Sequence, residues 1–128
     1  MRILLDTHIF LWWDSEPKKL LVQARTLCED PKNVLVLSVA SVCEMQIKQQ
    51  LGKLQLRLPL SGLIDDQTKA NDLQILPVAL HHVLAIKSLP PHHKDPFDRL
   101  FIAQENAEKL GLLSADAVFK QYAVNFLY

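Results

Sequence analysis

Four acidic residues of this chain occupy the same kind of place, in the first turns of a helical pattern or just after a short hydrophobic run. They are Asp6, Glu44, Asp98 and Asp116. Carboxylates brought together in a partly dry cleft repel one another, unless they are protonated or bridged by cations. Hard divalent ions such as Mg²⁺ prefer oxygen ligands and are usually held by a few carboxylates plus substrate phosphate. If the fold brings the four together, we expect phosphodiester hydrolysis, because such an ion activates water and neutralises charge on phosphorus.

Helix capping offers a simpler explanation of each acid taken alone. Asp95 is predicted as the N-cap of a helix 96–110 that opens on proline, which places Asp98 three residues beyond the cap. Ser41 and Glu44 have the spacing of a capping box. Capping does not explain why four acids occupy equivalent positions in successive strand–helix units.

Short hydrophobic runs alternate with helical patterns along the chain. The predicted strands are 2–5, 34–37, 73–78, 112–113 and 124–127. The predicted helices are 9–13, 18–29, 38–51, 61–71, 79–89, 96–110 and 117–122, and glycines 52 and 111 are expected to stop two of them. The alternation predicts an α/β fold, a three-layer α/β/α sandwich with a mostly parallel central sheet, in a single domain 1–128. Ligands gather beyond the carboxyl ends of such strands, where Asp6 and Asp116 fall.

The composition narrows the possible partners. The chain has 128 residues, 49% of them hydrophobic, and its 14 acidic and 14 basic residues balance. Zero net charge gives no general attraction for nucleic acid or an anionic membrane, so a nucleic-acid partner must be held locally or through a metal. No stretch approaches the ~20 apolar residues of a membrane span. Cys28 and Cys43 are expected to be buried thiols in a reducing cytoplasm.

Two hydroxyl residues adjoin the predicted ligands. Thr7 follows Asp6, and Ser114 lies two residues before Asp116. Their hydroxyls either orient a carboxylate or a water molecule, or make ordinary turn and cap hydrogen bonds. Other catalytic arrangements are missing from the sequence. The three glycines are isolated, so no phosphate-binding loop is predicted, and no serine or cysteine lies in a nucleophile elbow.

The five histidines compete with the carboxylates as metal ligands. His8 is close enough to Asp6 for a role near the metal. His81 and His82 are expected to be exposed at a helix start, while the pair at 92 and 93 is expected to lie in a loop.

Four segments resemble the motifs of PIN domains, and more narrowly those of the VapC-type ribonuclease toxins of bacterial type II toxin–antitoxin pairs. They are LLDTH at 4–8 with LWW at 11–13, SVASVCE at 38–44, HKDPFDRL at 93–100 with IAQ at 102–104, and LSAD at 113–116 with FKQY at 119–122. The resemblance spans essentially the whole chain. The first and third segments are specific, and in the fourth the family commonly has threonine where this chain has Ser114.

The resemblance implies an endoribonuclease in which four carboxylates bind Mg²⁺ or Mn²⁺, namely Asp6, Glu44, Asp98 and Asp116. Asp6 and Asp98 would anchor the metal, while Glu44 and Asp116 complete the acidic pocket or bind a second ion through water. It also implies RNA as substrate with a 5′-phosphate product, a homodimer, and a small VapB-like antitoxin that inserts a tail into the active-site groove.

Basic residues near the acids are expected to contact the substrate. Arg99 and Lys94 flank Asp98 in the sequence and are predicted to steady a phosphate. Lys48 and Lys53 either extend that track or lie on a solvated helix face.

Two other classes of function stay open from the sequence. One is a receiver-like signalling domain that accepts a phosphoryl group, although the paired acids after the first strand and the lysine after the last that it needs are missing. The other is a non-catalytic α/β interaction module in which the carboxylates only cap helices.

Overall fold

A parallel β-sheet forms the centre of the computed structural model, which describes residues 1–90, 95–121 and 126–127. Its strands are β1 (Arg2–Leu5), β2 (Val34–Ser38), β3 (Gln74–Leu76), β4 (Gly111–Leu113) and β5 (Phe126–Leu127). Their order is β3-β2-β1-β4-β5, and every described pair is parallel. The predicted sheet is confirmed. The third strand is shorter than the run 73–78, and residues 124 and 125 of the predicted last strand lie outside the described part.

Helices connect the strands. They are α1 (Thr7–Ser15), α2 (Val22–Glu29), α3 (Val39–Gln50), α4 (Leu60–Asn71), α5 (Leu80–Ala85) and α6 (Pro96–Glu108). Short 3₁₀ turns cover Pro17–Lys19, Ile86–Ser88 and Ala117–Gln121. None of the helices described is both long and apolar enough to cross a membrane.

The central strands β1, β2 and β4 are buried on both faces, which explains why they are continuously hydrophobic. Side chains alternate along β1, so Ile3 and Leu5 pack in one apolar cluster while Leu4 packs in the other. The first cluster is covered by α1, α2 and α4 and the second by α6, whereas α3 contributes to both. The predicted three-layer arrangement is therefore confirmed.

The helices that carry Glu44 and Asp98 both begin close to where the sequence predicts. Asp95 caps α6 as expected, because its carboxylate accepts hydrogen bonds from the amides of Phe97 and Asp98 at 2.9 and 3.2 Å. At α3 the cap is Ser38, whose hydroxyl accepts an amide hydrogen bond at 3.0 Å. Ser41 lies inside the helix, so the capping box that was the alternative explanation of Glu44 does not form.

Of the two glycines predicted to end helices, only Gly52 does so. Gly52 has a φ of 71° after α3, a left-handed conformation that glycine adopts without strain. After α6 the left-handed residue is Lys109, with a φ of 55°, and Gly111 already belongs to β4. The predicted helices 18–29 and 79–89 are each interrupted, since both contain a 3₁₀ turn in place of one α-helical end.

The two cysteines differ in their surroundings. Cys28 is buried in the first apolar cluster, and burial raises the pKa of its thiol to about 12. Cys43 is exposed, contrary to the prediction, because the residues that face the interior at this turn of α3 are Glu44 and Met45.

Arg57 fastens the segment between α3 and α4 to helix α1. Its guanidinium donates to both oxygens of Asp14, at 2.9 and 2.7 Å, and also contacts Asp66. Gln67 donates to Asp14 at 2.9 Å. Burial raises the pKa of Asp14, but the hydrogen bonds from Arg57, Gln67 and Ser15 outweigh it, and the pKa lies below its ordinary value of 3.8.

Candidate metal centre

The parallel strands end at one edge of the sheet, and a pocket of about 430 Å³ opens there. All four carboxylates predicted from the sequence line it. The residues around the pocket are Asp6, His8, Trp12, Glu44, Lys48, Asp95, Asp98, Ala115 and Asp116. The fold thus brings together side chains that lie more than a hundred positions apart in the chain.

Two hydrogen bonds hold Asp6 at the end of β1, one to the last residue of β4 and one from the serine that follows it. Its backbone amide donates to the carbonyl of Leu113 at 3.0 Å, and its Oδ2 accepts from the Ser114 hydroxyl at 2.7 Å. The carboxylate makes no cap hydrogen bond to α1. Burial raises the pKa of Asp6, although the Ser114 hydrogen bond and the nearby His8 act in the opposite direction. A cation in the pocket would offset this cost of burying the charge.

Glu44 projects from α3 into the same pocket, and both of its oxygens have partners. Thr7 donates its hydroxyl to Oε1 at 2.6 Å, and the Lys48 ammonium lies 3.0 Å from Oε2. The Thr7 oxygen is also 3.0 Å from the Ser41 hydroxyl. Since Thr7 has one proton and gives it to a carboxylate, Ser41 must be the donor in that second contact. The hydroxyls of Thr7 and Ser41 therefore fix the glutamate.

Asp98 and Asp116 complete the acidic lining from the other side. Asp98 lies in the first turn of α6, where Asp95 already provides the cap. Asp116 has an additional structural task, because its Oδ1 accepts the Val118 amide at 3.0 Å at the start of a 3₁₀ turn. Its own amide donates to the Ser114 hydroxyl at 3.0 Å. Ser114 thus bridges two of the acids, Asp6 and Asp116.

The predicted phosphate contacts fare differently. Arg99 is not among the residues that line the pocket, and its Nη2 donates to the carbonyl of Ile86 at 3.3 Å. This placement gives no support to a phosphate-binding role for Arg99. Lys94, like the histidines at 92 and 93, lies outside the described residues. His8 does line the pocket, with its ring centroid 6.0 Å from that of Trp12.

The donor set fits a hard divalent cation, since five carboxylates face one ammonium and one imidazole around the pocket. The carboxylates are not drawn tightly together, however. Among the described residues, no three of them have ligand atoms that all lie within 4.8 Å of one another. Ligands on opposite sides of Mg²⁺ are about 4.2 Å apart, twice the bond length. A metal held by three of these carboxylates would therefore require their side chains to move closer together, or water to lie between some of them and the ion.

A tighter group of metal-ligating types lies elsewhere, at His81, His82 and Glu108. The expectation that both histidines are exposed is wrong for His82, which is 2% exposed. Its Nδ1 accepts the Ala79 amide at 2.9 Å, so the neutral ring carries its proton on Nε2, which lies 3.2 Å from Glu108 Oε2. A nitrogen that binds metal must be unprotonated. His82 therefore accepts the amide at the start of α5 and, through its hydrogen bond to Glu108, lowers the pKa of that carboxyl, and it is not a metal ligand.

Two residues of α3 near the pocket received no definite role from the sequence. Lys48 was left open between a phosphate track and a solvated helix face, although the Glu44–Lys48 spacing of four residues is the pattern of a helical ion pair. Ser41 was interpreted as a cap, and only the packing of α1 against α3 places it beside Thr7.

Comparison with known proteins agrees with this geometry. A family model described as the PIN domain matches residues 3–125. Ribonuclease VapC22 of Mycobacterium tuberculosis is 30% identical over 102 residues, which make up 79% of this chain and 76% of that protein.

Solved structures share the fold. VapBC2 from Rickettsia felis, solved bound to a DNA fragment from its promoter, matches with a TM-score of 0.73 at 17% identity, over 99% of this chain and 96% of that one. FitAcB from Neisseria gonorrhoeae matches with a TM-score of 0.64 at 18% identity, over 98% and 96%. The resemblance seen in the sequence is confirmed, and nothing favours the receiver-like alternative.

Proposed function

This chain belongs to the PIN domain family, and from that premise we propose that it is a metal-dependent endoribonuclease, the toxin of a type II toxin–antitoxin pair. The observation that carries the proposal is the shared pocket of Asp6, Glu44, Asp98 and Asp116 at the carboxyl edge of the sheet. A relative that is a ribonuclease by name supports RNA as the substrate class.

We assign the metal, Mg²⁺ or Mn²⁺, to the carboxylates of this pocket. Asp6 and Asp98 would hold the ion, and Glu44 and Asp116 would complete its surroundings, in part through water. When bound, a divalent ion activates water for attack and neutralises the charge that develops on phosphorus. The donor chemistry and the buried charge of Asp6 support this assignment.

The protein's own contribution is to keep the carboxylates in place before substrate arrives. The Ser114 hydroxyl holds Asp6, and the Thr7 hydroxyl holds Glu44, in both cases from a buried position. These hydroxyls are the supporting hydrogen bonds that metal sites commonly need to orient their ligands. Of the two roles that the sequence left open for these hydroxyls, the contacts favour the orientation of a carboxylate over an ordinary turn or cap hydrogen bond.

Single-stranded RNA is the substrate form that the pocket wall favours. The rings of His8 and Trp12 lie on one side of the pocket, four residues apart on α1. Aromatic rings beside a phosphate site can stack on unpaired bases, which a duplex does not offer. With no net positive charge to attract the backbone, we expect RNA binding to be weak without metal.

For partners we propose a VapB-like antitoxin and a second copy of this chain. The structures of similar fold include VapBC2, and these neighbours motivate the proposal of an antitoxin. The antitoxin would insert a tail into the groove at the acidic pocket, whose volume of about 430 Å³ has room for side chains.

The proposal is tested by digesting labelled single-stranded RNA with the purified protein in Mg²⁺, Mn²⁺ or excess chelator. Cleavage should require the metal and leave a 5′-phosphate. Asp98→Asn should keep its circular dichroism spectrum and lose cleavage by at least about a hundredfold, the usual cost of disturbing a metal site. Asp65→Asn on the exposed face of α4 is the matched control and should cleave normally. Metal-independent cleavage, or full activity in Asp98→Asn, would refute the proposal.

A further inference from the structure

Lys48 is the one lysine or arginine among the described residues that line the acidic pocket. It lies on α3 one turn after Glu44, and its ammonium is 3.0 Å from Glu44 Oε2. Its side chain is 38% exposed, so the ammonium reaches both the carboxylate and solvent. The same lysine also lines a second groove that continues past Lys53 and Phe97. Lys48 therefore lies between the acidic pocket and this second groove.

Among the described residues, Lys48 is the one cation that forms a salt bridge with Glu44. The other glutamate oxygen is taken by Thr7, so both oxygens already have a donor. A divalent cation that approaches Glu44, directly or through water, meets an ammonium of the same sign at this oxygen. The ion and the lysine therefore compete for one carboxylate.

We propose that Lys48 is a built-in counter-ion of the acidic pocket, which gives up Glu44 when the metal binds and then contacts an RNA phosphate at the mouth of the groove. This rests on the proposed function. The side chain of Lys48 starts from α3 beside both the pocket and the groove, so rotation about its bonds lets the ammonium reach either one. Lys48 is thus a substrate-binding residue whose partner changes when the metal binds.

Two effects of opposite sign follow for Lys48→Met, which keeps the length of the side chain and removes the charge. Mn²⁺ affinity of the RNA-free protein, measured by calorimetry, should rise about two- to fivefold, equivalent to roughly 0.4–1 kcal/mol for a half-exposed ion pair. RNA affinity at saturating metal should fall, seen as a higher KM at similar kcat. The slope of log affinity against log salt should become shallower by about 0.7, the contribution of one phosphate contact on a single strand.

The chain supplies a matched control in Lys69, which pairs with Asp65 at the same 3.0 Å and the same spacing of four residues, on the solvated face of α4. Lys69→Met should leave Mn²⁺ affinity, KM and salt slope unchanged. Lys48→Arg keeps the charge, so it should retain the wild-type salt slope and the wild-type Mn²⁺ affinity.

The outcomes separate this inference from the proposed function. Wild-type protein that neither binds Mn²⁺ nor cleaves RNA would overturn the function and the inference with it. Wild-type protein that does both, while Lys48→Met shows unchanged or weaker Mn²⁺ binding and an unchanged salt slope, would overturn the role of Lys48 alone.

Discussion

Replacing Thr7 by valine tests whether the buried hydroxyls hold Glu44. Valine keeps the shape of threonine and removes the donor that lies 2.6 Å from Glu44 Oε1. Thr7 and Ser41 are 2% and 0% exposed, so water cannot easily replace the lost partner. A hydrogen bond to a charged group is worth about 1.5–3 kcal/mol, and Ser41 loses its acceptor as well. We therefore expect Thr7→Val to cost about 2–3 kcal/mol of unfolding free energy.

For a chain of this length, each kcal/mol lowers the Tm by about 3–5 °C, so the expected loss is roughly 6–15 °C. Thermal unfolding followed by circular dichroism in chelator measures it without any contribution from metal. Thr7→Ser keeps the hydroxyl and should lose at most about 1 kcal/mol, the worth of one methyl group.

A double-mutant cycle with Glu44→Gln identifies the partner. A neutral hydrogen bond is worth about 1 kcal/mol, so Thr7→Val should cost about 1–2 kcal/mol less in the Glu44→Gln protein than in the wild type. An equal cost in both backgrounds, or a Thr7→Val protein that melts with the wild type, would refute the inference that Thr7 orients this carboxylate.

Three further outcomes follow from the same contacts. Burial raises the pKa of Asp6, so the metal-free protein loses stability as the pH rises from 3.8 through the higher folded-state pKa. Asp6→Asn should therefore raise the Tm in chelator at pH 7. A lower Tm would contradict this. The pKa of Asp14 is lowered instead, so its contribution is present above pH 3.8 and lost as the pH falls through the folded-state pKa. The Tm difference between wild type and Asp14→Asn should accordingly shrink in acid, whereas a constant difference would speak against the Arg57 contact. Divalent metal at ten times its dissociation constant should stabilise the wild type by about 1.4 kcal/mol, or roughly 4–7 °C, and should not stabilise Asp6→Asn to that extent.

The sequence predicted the sheet well because its central strands are buried on both faces. The runs 2–5 and 34–37 are hydrophobic without alternation, and such runs favour a central parallel strand. Parallel strands expose their carboxyl ends at one edge, so the convergence of Asp6, Glu44, Asp98 and Asp116 followed from topology alone.

The errors arise where a tertiary contact decides the outcome. Ser41 contacts Thr7 across the packing of two helices instead of forming a capping box with Glu44, and local spacing does not reveal this contact. His82 is buried because Glu108 and the Ala79 amide satisfy its ring from two elements. The phosphate contact of Arg99 stays a prediction, and the hydrogen bond of its guanidinium to the Ile86 carbonyl does not support it.

The most direct test of the metal centre is the position of bound manganese in crystals of the wild-type protein soaked in Mn²⁺, located by its anomalous scattering. We predict a peak in the acidic pocket with Asp6 or Asp98 among its direct ligands and with water among the others. A pocket without manganese at saturating metal, or a peak only beside His81 and Glu108, would contradict the assignment of this pocket as the catalytic centre.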